Sequence, residues 1–217
     1  DDYGVKVALP PQRCSGTPIE TYGLRDLVKE GARENLAHLA SYATVITSCA
    51  SCTLSLKDYA TLFHGEPEEA AAIDLSKRVR HISEFLVEQG MASGNTRSIP
   101  ASADGKLPKV TYHSSCHLRA AGVSKPPRDL LASVADLEFV EMQDSDRCAG
   151  GAGTYMIKNY ENSQKIFQRK KRAIQESGAQ VVATSCPACM IQLKNGLRGI
   201  AEVKHIAQVL REHPRQK

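Results

Sequence analysis

The chain has 217 residues, 41% of them hydrophobic, and 28 basic side chains against 24 acidic ones give a net charge of +4. That is enough apolar material for one large core or two small ones, and basic groups dispersed rather than interleaved with aromatics argue against nucleic acid. No apolar run approaches the ~18–20 residues of a membrane-spanning helix and no charged-then-apolar leader precedes a cleavage site, so the expected setting is cytoplasmic.

In chain order, Asp1-Asp2-Tyr3-Gly4 has no initiator methionine and runs straight into an apolar, strand-like stretch, Val5 to Leu9, so the chain reads as a fragment. A turn of the form Arg-Cys-x-Gly (Arg13 to Gly16) and a helical stretch follow. Next comes a β-branched run, Val45-Ile46-Thr47, leading into Ser48-Cys49-Ala50-Ser51-Cys52 and a second helix. The amphipathic segment Val79-Arg80-His81-Ile82 closes this half. Residues 91–108, rich in Gly, Ser, Ala and Pro, read as a linker. The second half opens with an additional strand-like stretch, Lys109 to His117, and then repeats the order: strand (Leu137 to Met142), Arg-Cys-x-Gly turn (Arg147 to Gly150), helix, β-branched run (Val181 to Thr184), Cys186-Pro187-Ala188-Cys189 opening a helix, and Val203-Lys204-His205-Ile206. The expected fold is α/β: two pseudo-symmetric units with mainly parallel sheets, 1–90 (truncated at its N-terminus) and 109–217. The dense run Arg169-Lys170-Lys171-Arg172 reads as the solvated face of a helix.

Seven cysteines, an odd number, in a medium-sized chain without a signal point to metal or redox chemistry rather than structural disulfides. Cys116 ends a strand, Cys148 lies in a Gly-rich turn, and Cys186 and Cys189 sit where a strand meets a helix. If the strands are parallel, all four fall on the carboxyl edge of one sheet, where open α/β folds hold their ligands. The free N–H groups of a helix start favour thiolate. An iron–sulfur cluster suits four such thiolates, and so does tetrahedral zinc. A thioredoxin-like dithiol explains Cys186 and Cys189 but leaves the other cysteines idle. Covalent haem attachment needs His after Cys-x-x-Cys, whereas Thr53 and Met190 stand there. Cys14, Cys49 and Cys52 form an incomplete set whose fourth member is expected upstream of residue 1.

Cys116 is followed after 31 residues by Cys148-Ala149-Gly150, and Ala149 is followed after 36 residues by Cys186-Pro187-Ala188-Cys189; Cys14-Ser15-Gly16 and Cys49-Ala50-Ser51-Cys52 form a first copy. With Gly150 to Tyr155, Tyr112 to His117 and Pro126-Pro127-Arg128, this pattern resembles the cysteine-rich (CCG) domains of heterodisulfide reductase. It is equally similar to the iron–sulfur subunits of glycolate oxidase, lactate-oxidising complexes and anaerobic glycerol-3-phosphate dehydrogenase. The resemblance implies an iron–sulfur cluster, with Cys116, Cys148, Cys186 and Cys189 as one complete ligand set and Cys14, Cys49 and Cys52 as a partial one. It also implies electron relay from a flavin-containing dehydrogenase subunit toward a quinone or other membrane-bound acceptor, with peripheral attachment through partners and no catalysis by the chain alone. In both copies the second Cys of Cys-Cys-Gly is replaced, by Ser15 and by Ala149. Four thiolates therefore imply an ordinary [4Fe–4S] cube rather than the five-cysteine noncubane cluster that cleaves disulfides; heterodisulfide-type chemistry and a zinc-stabilised module are the alternatives.

Of the remaining residues, His113 and His117 beside Cys116 are expected to be satisfied by backbone rather than to act as ligands. His81 and His205 are expected to share one packing or capping role. Gly150-Gly151-Ala152-Gly153 does not spell a dinucleotide-binding loop; its glycines are expected to let N–H groups approach the cluster sulfurs. Tyr155 and Tyr160 could line a quinone or partner surface but read more readily as core.

Overall fold

In the computed structural model, residues 5–92 and 107–213 are described; most of the expected linker, residues 93–106, lies outside them. The chain divides into two compact units, Asp1–Val45 with Ser55–Val79, and Ile46–Leu54 with Arg80–Lys217. The elements in order are α1 (Thr17–Glu20), α2 (Arg25–Leu39), β1 (Val45–Thr47), α3 (Ala50–Lys57), α4 (Tyr59–Leu62), α5 (Glu69–Arg78), β2 (Val79–His81), α6 (Ile82–Glu88), β3 (Lys109–Tyr112) and α7 (Cys116–Ala120). They continue with α8 (Pro126–Ala132), β4 (Glu138–Phe139), α9 (Tyr155–Lys158), α10 (Tyr160–Ser177), β5 (Val181–Thr184), α11 (Pro187–Gly196), β6 (Glu202–His205) and α12 (Ile206–Glu212).

The first unit is mainly helical. Helix α2 buries Val28, Ala32, Leu36 and Leu39, an i, i+4, i+8, i+11 stripe, against Tyr59, Leu62, Phe63, Ala72 and Leu75. The Arg13–Gly16 turn is tied to this core: Asn35 Oδ1 accepts the Arg13 N–H at 2.8 Å, and the Ser15 carbonyl accepts from Ser55 Oγ at 2.6 Å and Tyr59 Oη at 3.1 Å. Gly16 has φ +105°, and a Cβ there would lie 2.5 Å from Val28 Cγ1, so both backbone angle and space demand glycine.

The second unit holds a four-stranded sheet in the order β4-β3-β5-β6, parallel throughout, with Val110 opposite Val181 and Val182 opposite Val203. Strands covered on both faces read as continuous apolar runs, which is why Val110, Thr111, Tyr112, Val182 and Ala183 are all fully buried. Alternate residues serve opposite faces: Val110, Tyr112 and Ala183 pack with Leu131 of α8 and Ile206 and Val209 of α12, while Val182 packs with Phe167 and Ile174 of α10 and Leu193 of α11. Strands β1 and β2 pair as a separate two-stranded sheet.

The α/β class with parallel strands therefore holds, while several local expectations do not. Val5 to Leu9 forms no strand; it has no neighbouring ladder, and Val7 and Leu9 are 69% and 89% exposed. The strand expected over Leu137 to Met142 is only Glu138–Phe139, because β4 lies at the sheet edge and pairs on one side. Lys170, expected on a solvated face, is 1% exposed: it falls on the same side of α10 as Ser163, Phe167 and Ile174. Tyr155 and Tyr160, read as core, are exposed.

Candidate functional site

Three cysteines of the second unit follow directly from its parallel strands. Strand β3 runs through Tyr112 into Ser114-Ser115 and places Cys116 as the first residue of α7, with Ser115 as N-cap. Strand β5 ends at Thr184, and Cys186 is the N-cap of α11 in extended backbone (φ −122°, ψ 116°), with Pro187 as the first helical residue. Proline suits that position because its missing N–H has no helical partner there. Cys189 then lies in the first turn of α11. Cys148 lies further beyond β4, in a turn held by the Ser114 N–H donating to the Ser145 carbonyl at 3.0 Å.

The Gly-rich turn does for Cys148 what its composition suggested. The Gly150 N–H donates to Cys148 Sγ at 3.2 Å. Gly150 has φ +81°, and a Cβ on it would meet the Ser163 carbonyl at 2.6 Å; a Cβ on Gly151 would lie 2.8 Å from Gln192 Cβ and 2.9 Å from the Ala188 carbonyl. The turn bearing Cys148 is thus packed onto α11 at Ala188 and Gln192. Ala149 is buried in the core with Met142, Phe167 and Leu193, so its methyl group faces apolar packing.

The electrostatics separate the thiols. Cys186 is lowered to about 7, first by the hydrogen bond from Cys189 and also by backbone N–H groups of Cys189 and Ala188. The Cys189 thiol, donating to Cys186, is pushed up, with burial and the charges of Cys116 and Cys148 acting in the same direction. The charges of Cys116, Cys148 and Cys186 all bear on Cys189, and that of Cys49 bears on Cys186. Cys49 is lowered to about 5, chiefly by the hydrogen bond from Cys52, with N–H groups of the α3 start assisting.

The two Cys-x-x-Cys turns are side by side within the second unit, an arrangement the linear motif order did not reveal. The Ala50 N–H donates to the Ser185 carbonyl at 2.9 Å, and Ala50 and Cys186 share a small apolar cluster with Leu118 and Val123. Ser51, between Cys49 and Cys52, is hydrogen-bonded through Oγ to His117 Nδ1 at 2.7 Å. His81 and His205 do share one role. Each is an N-cap whose Nδ1 accepts a backbone N–H, from Ser83 and Ala207, in a reciprocal capping box with Glu84 and Gln208. With Nδ1 accepting, Nε2 carries the proton, and both rings direct it at the Ser48 carbonyl, at 3.3 Å and 2.9 Å. The carbonyl ahead of Cys49 is thereby fixed from two elements. Cys14 lies in the first unit, exposed at the Arg13–Gly16 turn.

His113 departs from expectation. Its ring is fully buried, its Nδ1 has no partner among the described residues, and burial lowers its pKa to about 3. Ser115 Oγ is likewise buried without a partner. These two orphaned polar atoms lie three residues and one residue before Cys116. Buried Lys170 was also missed: its Nζ donates to the Asp144 carbonyl, and the charges of Cys148 and Cys189 act on it. A helical-wheel comparison with Phe167 and Ile174 was the signal available for it.

The donor set, four thiols with N–H groups directed at sulfur, fits a multi-iron cluster, each iron of which takes one cysteine. Among the described residues no three His, Cys, Asp or Glu side chains are grouped about a single metal position.

Comparison with known proteins identifies the family. Residues 2–57 and 110–194 match the cysteine-rich domain family, CCG. The chain is 31% identical over 216 residues to lactate utilization protein A of Oceanobacillus iheyensis, covering 97% of this chain and 86% of that one. It is 34% identical to the probable glycolate oxidase iron-sulfur subunit of Bacillus subtilis and 32% identical to a subunit of the fumarate reductase (CoM/CoB) of Methanothermobacter marburgensis. It covers 48% and 39% of those two relatives, or about half their length or less.

Proposed function

Because the chain belongs to the cysteine-rich (CCG) domain family, we propose that it is the iron–sulfur electron-transfer part of a complex built around a flavin-dependent dehydrogenase of 2-hydroxy acids, glycolate or lactate, or of glycerol 3-phosphate. The observation that carries this reading is the close packing of the Cys148 turn on α11, the helix that Cys186 and Cys189 open: a Cβ on Gly151 would lie 2.8 Å from Gln192 Cβ and 2.9 Å from the Ala188 carbonyl. Bound there, an iron–sulfur cluster supplies one-electron exchange at a potential set by hydrogen bonds and burial. The chain's own residues do the rest. Cys116, Cys148, Cys186 and Cys189 hold the group. The Gly150 N–H withdraws electron density from one sulfur, and His113 Nδ1 and Ser115 Oγ supply polar atoms with no protein partner.

Buried Ala149 leaves four thiolates rather than five, which favours a [4Fe–4S] cube and electron relay over the disulfide chemistry of five-cysteine relatives. Cys49 and Cys52, with Cys14, are proposed as the partial second set. No helix among the described residues is long and apolar enough to cross a membrane. A quinone or other membrane acceptor is, in this proposal, reached through partner subunits on the cytoplasmic side. Iron, zinc and acid-labile sulfide are measured on anaerobically purified protein, with electron paramagnetic resonance before and after dithionite. About four irons and four sulfides per site with a reducible signal is the expected result; stoichiometric zinc without sulfide would refute the proposal.

A further inference from the structure

We propose that the exposed face of α10 beside Cys148 is the docking site of an acidic electron-transfer protein, an assignment that rests on the relay reading above. A cavity of about 480 Å³ opens next to Cys148, lined by Arg147, Lys165, Ile166, Arg169 and Lys170, with Asp144 on its rim. Asp144 is ion-paired to Arg147 at 3.1 Å, and Lys170 is engaged with the Asp144 carbonyl. Lys165 and Arg169 have no acidic partner among the described residues. They stand four apart on one helix face, where like charges repel, and exposed Arg172 continues the stripe. Glu161 and Glu176, near its two ends, form no ion pair with it. Such a face is uncompensated until a negative surface covers it.

Three observations favour a protein over a small anion. The cations run from residue 165 to residue 172, about 10 Å of helix, beyond the reach of one small ligand. The one buried cation in the cavity is already spent on a carbonyl, so no convergent donors remain. Large apolar side chains also stand exposed along the same helical region: Ile157 at 75%, Tyr160 at 56% and Ile166 at 41%. Apolar contacts edged by charge are the usual anatomy of a protein interface. Cys148, which lines the cavity, is itself exposed, as is Cys116, so the face that would steer an acidic carrier includes a solvent-accessible member of the thiolate set.

The test uses flavodoxin hydroquinone as a small acidic electron donor to the loaded chain, followed by stopped flow at low and high salt. One electron passes from the hydroquinone to the oxidised chain, leaving the semiquinone. Electrostatic steering raises on-rates by about 10- to 1,000-fold. The Lys165→Glu/Arg169→Glu variant is therefore expected to slow the second-order rate at least about tenfold at low salt and to lose most of the salt dependence. The same charge change at Lys6→Glu/Arg25→Glu, in the first unit, should leave the rate within about twofold. Equal effects from both pairs, or none from the first, would overturn the docking site; so would inhibition by inorganic pyrophosphate at constant ionic strength, which would assign the face to a small anion. Binding of flavodoxin to the metal-free chain by surface plasmon resonance reads the surface independently, and Ile157→Ser/Tyr160→Ser should weaken it. A chain that binds flavodoxin through these residues yet takes up no iron would sink the relay reading and leave the docking surface standing.

Discussion

Gly151→Ala is the sharpest probe of the Cys148 turn. The added methyl would lie 2.8 Å from Gln192 Cβ and 2.9 Å from the Ala188 carbonyl. Ala188 O belongs to the backbone of α11, so the turn rather than the helix must yield. Ordinary contact begins near 3.4 Å, so the turn must retreat by about 0.6 Å. Overpacking on this scale costs about 1–3 kcal/mol, and for a chain of this size each kcal/mol lowers Tm by roughly 2–4 °C; the expected fall is roughly 2–12 °C. Because the turn carries Cys148, iron binding should weaken as well, by the roughly 10- to 100-fold typical of lost outer-shell support. Gly153→Ala supplies the contrast. Gly153 has φ +51° with open space around its Cβ position, so alanine there incurs about 1–2 kcal/mol of left-handed strain without pushing on α11. Differential scanning fluorimetry and iron content under competing chelator, measured on both variants, decide the matter. If Gly151→Ala kept the parent's Tm and iron, or if Gly153→Ala lost iron equally, the close packing of turn on helix would not be what positions Cys148.

Other outcomes follow from the same geometry. Cys148→Ser should lose the iron of the second-unit site while far-ultraviolet circular dichroism stays unchanged, since this exposed side chain supports no core contact; full iron retention would show the ligand set to be wrong. In metal-free protein, buried neutral His113 (about 3 against 6.5 when free) means that the unfolded chain binds the extra proton between these values. Stability must therefore fall as pH drops from the free value toward the folded one, and His113→Gln should flatten that acid limb in Tm measured against pH; an unchanged slope would refute the assignment. Reduced, metal-free protein treated with iodoacetamide at about pH 6 should be alkylated at Cys49 well before Cys189, because only the former is thiolate there. Peptide mass spectrometry reads the order, and earlier labelling of Cys189 would contradict it.

Much of this was written locally. The β-branched runs before Ser48-Cys49 and Ser185-Cys186 end as strands and the motifs open helices, because strand propensity, a helix N-cap and proline at the first helical position each act over a few residues. The capping role of His81 and His205 was legible for the same reason: a cap and its Glu or Gln partner are three residues apart. The failures also have local causes. Val5 to Leu9 has the composition of a strand but no partner to pair with, and composition cannot report that.

What the sequence determined by itself is the α/β class, the identity of the candidate thiol ligands, and their position at element ends, since periodicity and spacing are properties of the chain alone. Tertiary structure alone decided which groups meet. It set Ala50 against the Ser185 carbonyl, aimed two distant histidines at one carbonyl, buried Lys170 beneath Asp144, and left His113 Nδ1 without a partner among the described residues. These outcomes depend on how parallel strands far apart in sequence come into register. That register is fixed by the burial of Val110, Val182 and Val203 across the whole sheet, not by any short segment of the sequence.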